Sequence, residues 1–296
     1  MLEKFSGSQP LATAAVLILA SEFFLVLSGL SIRQVSNTLH TAEVVFFRNL
    51  LGLLLLLPWF AHHRFNGIRT GVLRFHFMRA AVGVTAMSCL YYSWASLPMA
   101  QAALFKQTAP FFTPLIALWW LGERVTPLLK WSLLVGFLGV FVVLNPQQGM
   151  INMAAIIALV GAALGGVAKV TVRRLAKTEG PQRIVFYFSL FSALLSAVPA
   201  ALHWVQPGFE EMLWLGLLAT TSTLAQLFLS KGYALAPAGQ LGPFTYTSIA
   251  FAALIGWWFW DETMDWNTLL GILLIVLAGL LAMQPARRPK KSLTNE

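Results

Sequence analysis

Apolar stretches of about 18 to 24 residues recur from one end of this chain to the other, and about 20 is what a helix needs to cross the hydrocarbon core of a bilayer. Ten are readable, over 11–32, 43–60, 72–95, 98–120, 128–145, 152–171, 184–204, 212–234, 239–260 and 267–284. In lipid, every backbone polar group must find its partner inside the protein, which restricts such stretches to helices. Ten of them in 296 residues leave short connections and no room for a soluble domain. The expected fold is all-α and integral to the membrane, with ten transmembrane helices. The first stretch has no cleavage pattern behind it and holds Glu22, so it reads as a retained span rather than a signal peptide.

Charge placement agrees. Only 10% of the chain is charged against 58% hydrophobic, where soluble domains are about a quarter charged. The net charge of +9 does not point to nucleic acid, because most Lys and Arg fall in short gaps between apolar stretches. With the N-terminus inside, fifteen basic residues lie on the cytoplasmic side, among them Lys4, Arg69, Arg124, Arg173, Lys231 and Arg287. The outer loops hold Arg33 and otherwise acids, including Glu210, Glu211, Asp261, Glu262 and Asp265. This is the positive-inside distribution, and the tryptophans near the span ends fit interfacial belts. The expected location is an inner membrane, multi-pass, with both termini cytoplasmic. Cys89 is the single cysteine, which excludes an internal disulfide and a cysteine-based metal site.

The chain also repeats itself. Shifted by 139 positions, Ser93–Phe105 lies over Gly232–Phe244, and the register runs without a gap to Pro146 over Pro285. Pro98/Pro237, Gln101/Gln240, Phe105/Phe244, Thr108/Thr247, Trp119/Trp258 and Glu123/Glu262 are identical pairs. The organisation expected is a segment 1–10, a first five-helix repeat 11–146, a second 147–285 and a basic tail 286–296. Five spans per repeat is an odd number, so the second copy enters from the opposite side and the topology is inverted. Inverted repeats belong to secondary transporters, with the substrate site near the midplane between them.

The same residues resemble the EamA-type family of the drug/metabolite transporter superfamily. The resemblance rests on "APFFTPLIALWWLGERV" (Ala109–Val125), "GPFTYTSIAFAALIGWWFWDETM" (Gly242–Met264, with Asp261 in place of the glycine of the "GE" turn), "VVFFRNLLGLLLLLP" (Val44–Pro58) and "FMRAAVGVTAMSCLYYSWASLPMAQAALF" (Phe77–Phe105). It implies two five-helix repeats and a metabolite carrier, with the first, third, fourth, sixth, eighth and ninth spans lining the path. The family's cargo includes amino acids, riboflavin, S-adenosylmethionine and metallophores. "FFRN" and "LGPFTYTS" look most like the branch of the riboflavin and S-adenosylmethionine carriers. The fifth and tenth spans, with almost no polar residues, are expected outside the path.

Charges inside lipid cost about 2.5 to 3.5 kcal/mol at a helix centre, and five within the spans need explaining: Glu22, Arg48, Arg79, Lys106 and Lys169. Arg79 and Lys169 lie near inner ends and are expected to snorkel to water. Arg48 lies about one turn from an outer end, either an anchor or a cavity residue. Glu22 is at mid-span, and Lys106 is about nine residues deep, or about 13 Å. Lys106 has Thr245 as its repeat mate, so its charge is one-sided. These two read as the charged floor of a cavity, Lys106 facing an anionic group of the cargo and Glu22 its resting partner. Thr85 and Tyr92 on the third span, Gln226 on the eighth, and Thr245 and Tyr246 on the ninth complete the expected substrate-binding set. Gly161 and Gly165 form a close-packing GxxxG step, and Glu123 and Glu262 are expected to be structural, capping or hydrogen-bonding the helix that follows each, without touching cargo. No phosphate-binding loop, zinc-protease motif or nucleophile with a histidine partner is present. No catalytic residue, metal or cofactor is therefore expected, and the partners are a small-molecule substrate and the lipid bilayer, with a homodimer left open. The alternative function is a proton-coupled cation or drug exporter working through Glu22; an intramembrane enzyme and a purely structural membrane protein are the remaining classes.

Overall fold

The structure, a computed structural model, describes residues 9–35, 38–62, 68–96, 105–123, 125–144, 153–260 and 266–283. The readings on Lys4, Pro98, Gln101, Arg124, Asp261, Glu262, Asp265 and the tail 286–296 lie outside them. Ten principal helices run through the described residues: α1 (Gln9–Val35), α2 (Thr41–His62), α3 (Leu73–Ser96), α4 (Ala109–Leu121), α5 (Pro127–Leu144), α6 (Met153–Leu175), α7 (Pro181–Leu202), α8 (Phe209–Leu235), α9 (Thr247–Trp260) and α10 (Trp266–Met283). A one-turn helix, Ala238–Leu241, and a 3-10 turn, Gly242–Tyr246, precede α9. Five helices, α1, α2, α6, α7 and α8, are long and apolar enough by themselves to cross a membrane.

The distribution of polarity is that of a protein dissolved in lipid. Val16, Leu115, Trp119, Trp131, Leu194, Val198 and Leu273 are exposed, whereas Ser21, Glu22, Thr113, Ser132, Ser189, Ser192 and Ser222 are buried. An apolar exterior removes the hydrophobic force between helices, so close approach and interhelical hydrogen bonds hold them together. Ser21 Oγ donates to the Ala225 carbonyl at 2.9 Å and Ser28 Oγ meets Thr221 Oγ1 at 3.0 Å, both joining α1 to α8. Small residues on α6, Ala154, Ala158, Gly161 and Ala162, let it press against α3.

The helix pairings come in mates. α1 packs mainly on α8, and α6, its counterpart in the second half, packs mainly on α3, the counterpart of α8. α4 meets α6 as α9 meets α1, and α3 meets α7 as α2 meets α8. The pairs α2·α7 and α5·α10 are their own counterparts. The last crossing repeats at atomic level. Ser132 Oγ donates to the Ala278 carbonyl at 2.7 Å, and a Cβ on Gly139 would stand 2.7 Å from the Gly271 carbonyl oxygen. Ser132 and Gly271, like Gly139 and Ala278, are 139 positions apart.

The GxxxG step is only half a contact. A Cβ on Gly161 would meet Cys89 Cβ at 2.8 Å, while Gly165 has nothing within 4 Å. Gly166, one residue on, takes the close approach to α4, 3.2 to 3.4 Å from Ile116, Phe112 and Thr113.

Candidate functional site

Both copies of the fourth span are interrupted where the repeat aligns them. Phe105 and Lys106 are helical, the chain turns at Gln107 and Thr108, and α4 starts at Ala109 with Pro110 in its first turn. In the second half the 3-10 turn Gly242–Tyr246 carries Pro243, and α9 starts at Thr247. Proline has no N–H to give the preceding turn, so an α-helix does not run through such a position undisturbed. Thr245 Oγ1 donates to the Gly242 carbonyl at 2.8 Å within the second break. Gln107 Nε2 donates to Ser248 Oγ at 2.7 Å and ties the two breaks together.

A charged cluster faces these breaks. Glu22 of α1 is 4% exposed. Lys169 of α6 and Lys106 are the cations acting on its carboxylate, and the Ser248 hydroxyl lies beside it. Lys169 also feels Lys106 as a like charge, so the three groups form one set. Both lysines keep partial exposure inside the helix bundle. Lys169 does not snorkel as its place near a span end suggested; it turns inward to Glu22, because an ammonium gains more from a carboxylate in a poorly solvated interior than from a stretched path to water.

Arg79 corrects the same expectation. It is 6% exposed, its guanidinium carbon 4.1 Å above the centre of the Phe188 ring. Its Nη2 donates to Gln226 Oε1 at 3.2 Å. Arg48, also buried, donates from Nη1 to Met87 Sδ at 3.3 Å. Arg48 and Gln226 line a narrow cleft between α2, α7 and α8, with Asn49, Phe188, Ser189 and Thr223.

The structure thus brings Glu22, Lys106 and the Thr245 turn to one place, and Arg48 and Gln226 to a second. Tyr233 of α8 is within electrostatic reach of both Glu22 and Arg79, and its fully buried hydroxyl has no hydrogen-bond partner. Three expected residues join neither. Thr85 is exposed and donates to Ala81 of its own helix at 2.9 Å, and Tyr92 is 51% exposed. Tyr246 is fully buried against α5, its hydroxyl 3.4 Å from the Leu133 carbonyl and its ring filling the space left by Gly136.

Glu123 does not cap α5. Gly122 adopts a left-handed conformation (φ 68°), closed by Gly122 N–H to Leu118 O and Glu123 N–H to Ala117 O, both at 3.2 Å. This turn, which favours glycine, sends the Glu123 carboxylate to Arg173 Nε at 3.1 Å and to the Ala238 N–H at 2.8 Å. Arg173 also donates to the Tyr233 and Ala234 carbonyls at 2.8 and 3.1 Å. One ion pair therefore joins the end of α4, the end of α6 and the break before α9.

An apolar-skinned helical bundle with broken helices and interior charges is a multi-pass membrane protein. The EamA-like transporter family matches residues 12–145 and again 152–284. The chain belongs to that family. It is 33% identical over 266 residues to a pseudopaline exporter of Pseudomonas aeruginosa, covering 88% of this chain and 92% of that one. It is 24% identical over 257 residues to an S-adenosylmethionine uptake transporter of Rickettsia felis, covering 86% and 87%. A solved crystal structure shares the fold with a TM-score of 0.78 at 19% identity, over 91% of this chain and 97% of that one.

Proposed function

We propose that the chain is a secondary carrier of an inner membrane that moves a small amphipathic metabolite bearing an anionic or zwitterionic group. It works by alternating access between two inverted five-helix halves, 11–146 and 147–285. The observation that carries this reading is the Glu22 carboxylate set beside two partly exposed ammoniums, Lys106 and Lys169, at two broken helices. Ionisable groups within spans usually mark a transport path, and an ammonium on such a path is suited to an anionic group of the cargo. The mated helix pairings and the mated breaks support the two-half mechanism. The named relatives include an exporter and an uptake carrier, so direction is set by gradients and coupling rather than by the fold. Thr245 and Gln226 supply neutral hydrogen-bonding groups along the path.

The test is flux into proteoliposomes from a panel of metabolites. Lys106→Ala abolishes uptake of the anionic solute that wild type moves, while the protein elutes and unfolds as a folded species. Lys106→Arg retains part of the activity, because charge survives but contact geometry changes. If the double variant Glu22→Gln/Lys106→Gln transports at the wild-type rate, the pair is a packing device and the reading is wrong.

A second reading, export coupled to protons through Glu22, is favoured by that carboxylate's depth, at 4% exposure. A pH gradient alone then drives solute accumulation in wild type. Accumulation that persists in Glu22→Gln removes this reading and leaves the first intact.

A further inference from the structure

Arg74 and Arg174 meet at one aromatic ring. Arg74 is in the first turn of α3 and Arg174 in the last turn of α6. Their guanidinium carbons stand 4.9 and 4.5 Å from the centre of the Phe75 ring. Arg174 is also 6.0 Å from the ring centre of Trp120, near the end of α4, and the Phe75 and Trp120 rings are 6.4 Å apart. Both rings are partly buried and pack on the core that holds Val170, Val172 and Leu175. The aromatic platform is therefore fixed from within, while Arg74 is exposed and Arg174 half-buried.

The protein supplies no anion to this pair. A guanidinium held over a ring still has its N–H donors to satisfy. Among the described residues neither arginine has a hydrogen bond or an ion pair. The two described carboxylates in the connections at this end of the bundle are engaged elsewhere: Glu123 holds Arg173, and Glu179 holds Arg183 and the Thr70 hydroxyl. Two like charges at one ring repel each other until an anion joins them. The skin around them is apolar. Leu73 and Phe77 are exposed on α3, on either side of Arg74, and Leu115, Leu118 and Trp119 are exposed on α4, Trp119 by 87%. Tryptophan at a span end sits at the level of lipid headgroups.

We propose that this end of α3, α4 and α6 is a docking site for an anionic phospholipid. Arg74 and Arg174 donate to its phosphodiester, and its acyl chains run along the exposed apolar residues of α3 and α4. The guanidinium fork matches phosphate oxygens, and basic surfaces between membrane helices are where anionic headgroups bind. A free phosphate would gain the charge contacts alone, so the apolar flanks favour the lipid. The site uses neither the Glu22 cluster nor the cleft at Gln226, and goes beyond the carrier reading without depending on it.

The purified full chain, stripped of lipid in a neutral detergent, is titrated with phosphatidylglycerol or phosphatidylcholine of the same acyl chains, and bound lipid is counted by native mass spectrometry. Wild type holds phosphatidylglycerol in preference to phosphatidylcholine. Arg74→Gln and Arg174→Gln each weaken the phosphatidylglycerol affinity about fivefold, the value of one basic residue at an anionic surface. The double variant binds the two lipids alike. Arg174→Lys keeps the charge but loses the fork and falls between wild type and Arg174→Gln; it also serves if the Gln variant does not fold. Lys177→Gln, at an exposed lysine just past α6, leaves the preference unchanged. A wild type that binds both lipids alike, or arginine variants that keep the preference, overturns the proposal. So does an equal loss in Lys177→Gln, which makes the effect one of bulk charge. Displacement of phosphatidylglycerol by an equal concentration of inorganic phosphate overturns the choice of a lipid.

Discussion

Arg173 and Glu123, fifty positions apart in sequence, meet at 3.1 Å, and each also holds backbone at the approach to the second helix break. The pair is mostly buried, with side chains 19% and 16% exposed. Its coupling therefore falls between that of exposed pairs, up to about 1 kcal/mol, and the larger cost of breaking a fully buried one. Glu123→Gln and Arg173→Gln each lower the thermal midpoint. The double-mutant cycle returns a coupling of about 1 to 2 kcal/mol. A coupling of zero means that the two side chains hold their backbone partners independently.

The cluster at Glu22 makes a sharper prediction about order of substitution. Glu22→Gln leaves Lys106 and Lys169 facing each other with their shared anion gone, and destabilises the chain by about 2 kcal/mol, less than a fully dry pair because both lysines keep partial exposure. Adding Lys169→Gln to Glu22→Gln recovers much of that loss. Thermal unfolding of the three proteins decides it, and a further fall in the double variant counts against the grouping.

Glycines separate contact from coincidence. Gly139→Ala places a methyl against the Gly271 carbonyl and Leu274, and forces α5 and α10 apart at a cost of about 1 to 3 kcal/mol. Gly165→Ala has open space and stabilises its helix by about 0.5 to 1 kcal/mol. Equal midpoints for the two variants would contradict the packing described.

Topology is tested with exposed positions. In a Cys89→Ser background, a cysteine at Glu210 reacts with an impermeant thiol reagent added outside intact cells, and one at Arg69 does so only after the membrane is opened; both native residues are exposed. The opposite pattern reverses the orientation drawn from the basic residues.

The helices were legible because about 20 apolar residues in a row leave the backbone one solution. The places where they stop being simple were half legible: Pro110, Pro114 and Pro243 mark the region, but the turn at Gln107 and Thr108 carries no proline of its own. Lys169 and Arg79 depart from the snorkelling expectation for one reason. Distance from a span end says whether a long side chain can reach water, and not which face of the helix it leaves from. Lys169 faces Glu22 and Arg79 faces Phe188 because of how α6 and α3 are rotated, and rotation is set by packing partners absent from the local sequence. The repeat marks Glu123, whose contacts are structural, but its partners are Arg173 and the Ala238 N–H rather than the helix that follows it; Arg173 lies fifty positions away, and nothing local in the sequence links the two. Glu22 and Lys106 stand out together in the sequence because both lie too deep for any neighbour in sequence to pair with.

The charges are not shared evenly. Lys106 has Thr245 as its counterpart, and Arg79 has Leu218. In a carrier whose halves exchange conformations, identical halves would leave the empty protein indifferent between its two open states. Under the alternating-access mechanism proposed above, the exchange would move an ammonium into the place of a hydroxyl and a guanidinium into the place of an isobutyl group, so the two empty states would differ in energy. On that mechanism the unloaded protein would have a parking position. Such a preference would leave the direction of net flux to the gradients, but it would govern the return stroke: how long the carrier waits after release, and on which side of the membrane it waits.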